Sequence, residues 1–113
     1  MSWRAQGMRT WILQRLTAVY MLLYLLVFAV LVFRQPTHDF ASWHSLFVHP
    51  VVNIATVLFF YALLFHAWVG IRDILIDYVH VSSIRFFLWI VVNLTIIAMA
   101  IWISMILYSV VVI

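Results

Sequence analysis

Cysteine, lysine and glutamate are all missing from these 113 residues. Without cysteine the chain can form no disulfide, no thiolate metal site and no cysteine nucleophile. Charge of either sign is scarce: six arginines and three aspartates make up 8% of the residues, against 69% hydrophobic ones. With a mean hydropathy of +1.22, a soluble core of this size could not hide so much apolar side chain, so lipid must solvate most of it. The net charge of +3 is small, and the arginines cluster near the ends of apolar runs. That is a topology signal and not a nucleic-acid footprint. No internal repeat or low-complexity segment is visible, and the length suits a single domain spanning residues 1–113.

Three apolar runs remain, each with the roughly 20 residues needed to cross hydrocarbon. The first covers about 10–33 and is uncharged between Arg15 and Arg34. It is too long for a signal-peptide core, and no small-residue cleavage site follows it, so it is expected to be retained. The absence of an Arg- and Ser-rich transit segment favours a bacterial protein. The second run covers about 51–71, with Asn53, Thr56 and His66 as its polar members. The third covers 86–113 and carries no charge. At 1.5 Å per residue it measures about 40 Å against a core of about 30 Å, so it tilts or projects beyond the membrane. Its Asn93, Thr95, Ser104 and Ser109 are expected to bond backbone or neighbouring helices. The expected fold is an all-α membrane protein of three transmembrane helices. Arg4, Arg9, Arg15, Arg72 and Arg85 lie at the N-terminus and in the segment 72–85. The positive-inside rule therefore puts the N-terminus and that segment in the cytoplasm or matrix, and the C-terminus on the far side.

The first loop, 34–50, predicts a short helix capped by Asp39, with Phe40, Trp43 and Phe47 on one interfacial face. His38, His44 and His49 match no closed metal-site pattern and read as interfacial or solvated histidines.

The most informative stretch is His66–His80. With about 100° per residue, His66, Gly70, Asp73, Asp77 and His80 share one helical stripe. Polar groups are costly in lipid, so this stripe should face protein, cofactor or water. His66 lies about 9 Å below Arg72 along the helix. Its ring should be neutral there, with one lone pair that suits a haem iron, and Gly70 would let a flat macrocycle approach. The bland alternative is a histidine bonded across helices beside a packing notch. Arg15 enters from the same side of the membrane; it either snorkels to the headgroups or meets an anion such as a propionate. A second deep histidine is missing, so a six-coordinate haem would need its other ligand from a partner. Tyr78 can donate a hydrogen bond to a carbonyl oxygen, and Asp77 can pass protons, a pairing that suits a quinone. The alternative is a tyrosine of the aromatic belt and a carboxylate paired with Arg72 or Arg85.

Gln14-Arg15-Leu16-Thr17-Ala18, His66-Ala67-Trp68-Val69-Gly70 and Asp77-Tyr78-Val79, in this order and spacing, resemble the small D-type hydrophobic membrane anchor of bacterial succinate dehydrogenase, respiratory complex II. The resemblance covers nearly the whole chain. It implies His66 as an axial ligand of haem b, with the second ligand from a companion C-type anchor. It implies Arg15 near the haem propionates, Tyr78 on a ubiquinone carbonyl and Asp77 beside it. An iron–sulfur subunit would dock on the cytoplasmic face and deliver electrons from a succinate-oxidising flavoprotein, in the bacterial inner membrane. The resemblance gives no role to Arg72, Asp73 or His80. Two rivals are a non-catalytic scaffold and a small proton conductor that uses His66, Asp73 and Asp77 as a relay.

Overall fold

The computed structural model describes the backbone of residues 3–112 and the side chains of residues 7–112. The side chain of Arg4, counted above as a topology signal, lies outside the described residues, as does Ile113. Four helices follow in order: α1 (Trp3–Phe33), α2 (Phe40–Val48), α3 (Pro50–Tyr78) and α4 (Ser82–Val112). No strand occurs among the described residues. Within α1, Gly7–Phe33 is long and apolar enough to cross a membrane, as are α3 and α4 over their full lengths.

Local chemistry sets the boundaries. Asp39 caps α2: its Oδ1 accepts from the Ser42 amide at 2.9 Å and from the Ser42 hydroxyl at 2.8 Å. Those bonds, the amide first, hold the exposed carboxyl below the usual aspartate range. His49 ends α2 and caps α3, its Nδ1 accepting from the Val51 amide at 3.2 Å, with Pro50 in the first turn where no donor is needed. The sequence predicted a loop over 72–85, but α3 continues to Tyr78, and its last turn is closed by Val79 N–H donating to the Leu75 oxygen at 3.2 Å. Charge ended the hydrocarbon run there without ending the helix, because Arg and Asp side chains extend into water while backbone bonding continues. Three residues, 79–81, remain between α3 and α4.

The central element is α3, with α1 packed along one side and α4 along another; α1 and α4 do not pack on each other among the described residues. Polar side chains stitch the seams. On the α1 side, Tyr20 donates to the Ala55 oxygen at 2.6 Å, and the Tyr24 and Thr56 hydroxyls meet at 2.7 Å. The Tyr24 ring stacks on Phe59 at 4.4 Å. On the α4 side, Trp68 Nε1 donates to Asn93 Oδ1 at 3.1 Å, and Tyr61 bonds Ser104. Thr95 and Ser109 bond their own helix backbone instead. As expected from sequence, the polar residues of the third run satisfy backbone or neighbouring helices.

The expected aromatic face of α2 divides. Trp43 and Phe47 pack against Phe28 of α1, whereas Phe40 is 77% exposed and meets the His44 ring. Leu46, Leu64, Val69, Leu75 and Leu107 are the buried hydrophobic residues among those described. Such a small interior cannot hold three long helices together in water, so lipid must solvate most of the remaining apolar surface.

Candidate functional site

His66 sits in α3 on the side packed by α1, and its ring is half-buried. Its Nδ1 is fully buried and has no hydrogen-bond partner among the described residues. Across the seam, Gln14 Nε2 donates to the His66 backbone oxygen at 3.4 Å, while Gln14 Oε1 is also buried and unpartnered. As placed, the imidazole Nδ1 makes no bond across helices to another described residue.

One turn on, a Cβ added to Gly70 would meet nothing within 4 Å. No described residue fills the space left by the missing side chain, so the notch opens outward from the described residues. A half-buried imidazole beside an open helix face fits an axial ligand and the edge of a planar ring.

Arg15 is exposed on α1, and its guanidinium lies over the Trp11 ring at 5.4 Å. No ion pair or hydrogen bond ties it to His66 or to a carboxylate among the described residues. It follows Gln14 on the same turn of α1, about 100° round the helix from it, and the structure shows no contact between Arg15 and His66 among the described residues. On the continuing stripe, Asp73 is paired with Arg72 at 3.3 Å, both partly exposed. Arg72 also lies over Trp68, at 5.6 Å.

Asp77 and Tyr78 form the last turn of α3. Asp77 shares the His66 stripe, about 16 Å further along the axis. Tyr78 is 76% exposed and points about 100° away from Asp77. Neither side chain makes a hydrogen bond or ion pair among the described residues. The pairing of Asp77 with Arg72 or Arg85 that the sequence left open is not formed: Arg72 takes Asp73 instead.

Two features escaped the sequence reading. One is the unpartnered Gln14 Oε1, invisible without knowing which residue faces it. The other is a cleft of about 560 Å³ where α3 and α4 diverge, lined by residues that include Arg72, Arg85, Phe86 and Trp89. Asp77 and Tyr78 do not line it. The loop histidines stay apart: His49 is a helix cap, His38 is exposed, and no group of three metal-ligating side chains occurs among the described residues.

Residues 1–112 match the family described as succinate dehydrogenase/fumarate reductase transmembrane subunit. The chain is also 32% identical over 97 residues to a Coxiella burnetii protein named succinate dehydrogenase hydrophobic membrane anchor subunit, covering 86% of this chain and 84% of that relative. Three helices able to span a membrane, almost without an interior of their own, are the architecture such a subunit needs. With a match from the first residue to the last turn of α4, the chain belongs to the succinate dehydrogenase/fumarate reductase transmembrane subunit family.

Proposed function

We propose that this chain is the hydrophobic membrane anchor of a succinate:quinone oxidoreductase in a bacterial inner membrane. In this reading His66 supplies one axial ligand of haem b, and a companion C-type anchor supplies the other. The observation that carries it is the half-buried His66 ring, unbonded within the chain and set beside the open face at Gly70. Haem, when bound, supplies a one-electron centre between single-electron iron–sulfur donors and a two-electron quinone. His66 would offer an imidazole nitrogen to the haem iron from within the span of α3. Arg15, free of any carboxylate, neutralises a propionate.

Tyr78 holds ubiquinone by donating its phenolic hydrogen to a carbonyl oxygen, and Asp77 delivers protons from the cytoplasmic side, directly or through water. Both are exposed in the isolated chain, so the iron–sulfur subunit and the companion anchor complete the quinone pocket. The flavoprotein oxidises succinate and reaches this chain through the iron–sulfur subunit. With no cysteine, the chain holds no thiolate-ligated iron–sulfur cluster of its own. A proton relay through His66, Asp73 and Asp77 has weaker support, because Asp73 is engaged by Arg72.

The test is an optical spectrum of the purified complex carrying His66→Ala, beside a Tyr78→Phe complex assayed with quinone and with an artificial electron acceptor. The reading requires an altered haem spectrum in the first. In the second it requires lowered quinone reduction with artificial-acceptor activity retained. An unchanged haem spectrum in the first removes His66 from the haem.

A further inference from the structure

Three buried side-chain polar atoms lack a partner among the described residues: Gln14 Oε1, His66 Nδ1 and His44 Nε2. The third belongs to α2. The first two belong to residues that already touch, since Gln14 Nε2 donates to the His66 backbone oxygen at 3.4 Å. That bond is long and weak. The two orphans are also complementary in kind: an amide oxygen accepts, and a protonated imidazole nitrogen donates.

We infer that Gln14 is a positioning residue for His66, with its Oε1 accepting a hydrogen bond from Nδ1–H while its Nε2 holds the backbone oxygen of the same residue. The amide already reaches residue 66 through its Nε2. Neighbouring polar groups of α1 are committed elsewhere. Thr17 bonds the Gln14 backbone oxygen at 3.0 Å, Tyr20 bonds Ala55, and Arg15 lies over Trp11. A proton held on Nδ1 leaves the lone pair on Nε2, across the ring from α1, the tautomer a metal ligand needs. The same bond makes the imidazole a stronger electron donor, which favours a ferric over a ferrous partner.

This inference rests on the role proposed for His66, and the experiment separates the two. The assembled complex is purified with Gln14→Met, which keeps length and removes the acceptor, and with Gln14→Glu, which strengthens it. The haem midpoint potential and the low-spin resonance values are read in each, against His66→Ala. Gln14→Met raises the potential, Gln14→Glu lowers it, and both shift the resonance values while haem remains bound. If Gln14→Met does not assemble, the downward shift in Gln14→Glu carries the test. Should His66→Ala abolish the native spectrum while the Gln14 variants leave potential and resonance unchanged, Gln14 plays no positioning part and the ligand stands. A native spectrum in His66→Ala removes the ligand, and the clasp with it.

Discussion

Asn53 of α3 donates from one side-chain nitrogen to the Leu107 backbone oxygen of α4 at 3.0 Å, and from the same nitrogen to the Phe47 oxygen of α2 at 3.0 Å. A single buried amide thus joins three helices at the end of the molecule far from Tyr78. Asn53→Leu keeps the volume and removes both bonds. Buried polar contacts of this kind are worth about 1–2 kcal/mol between membrane helices. The variant is expected to lower the unfolding midpoint of the detergent-solubilised complex without changing its haem spectrum. A melting curve superimposable on the native one would show the junction to be energetically idle.

Gly70 carries a prediction that depends on open space. Nothing in the chain lies within 4 Å of a Cβ placed there, so Gly70→Leu should insert into the membrane in normal amount. Haem content per complex should nevertheless fall several-fold, because a bulky side chain projects where the ring edge would lie. Full haem occupancy in that variant would mean that the open face belongs to something else.

Tyr78 is expected to contribute one hydrogen bond to quinone. A single such bond is worth about 1 kcal/mol, so Tyr78→Phe should reduce quinone turnover by roughly five- to tenfold. Asp77→Asn should slow turnover most at high pH, where protons are scarce. Steady-state quinone reduction across pH, with artificial-acceptor activity as the internal control, measures both.

Asp39 predicts a pH effect confined to the first loop. Its carboxyl titrates below the ordinary value of 3.8 because the Ser42 amide and hydroxyl bond the charged form. A depressed folded value means that the cap stabilises α2 above the unfolded value and loses that contribution as pH falls through the folded one. Amide exchange over residues 40–48 should accelerate in strong acid. Asp39→Asn should keep the cap and lose the acid dependence, whereas Asp39→Ala should exchange faster at every pH.

Much of this was legible in the sequence for physical reasons. Hydrocarbon thickness fixes the minimum length of a span, so three uncharged runs specified three spanning helices. Asp39 before Phe40 announced a cap because a carboxylate two or three residues ahead of free amides has little else to bond. His66 stood out because imidazole is costly at that depth. What the sequence hid depends on partners across space. Charges at Arg72 and Asp73 suggested a loop, yet backbone bonding ignores side-chain charge, and α3 runs on to Tyr78. Phe40 shares a helical periodicity with Trp43 and Phe47, but the position of Phe28 decides which rings are covered. Gln14 stood in the sequence only as the first residue of a family-like motif; its reach to residue 66 needed α1 laid against α3.

The three-residue turn between α3 and α4 has a consequence for biogenesis. A connection so short couples the two segments as one helical hairpin, so the direction of α4 across the bilayer is tied to that of α3. After Arg85, α4 holds no cationic residue to choose its own direction. The charge bias that orients it lies upstream, so arginines appended at its far end would compete with that bias without opposition from α4 itself.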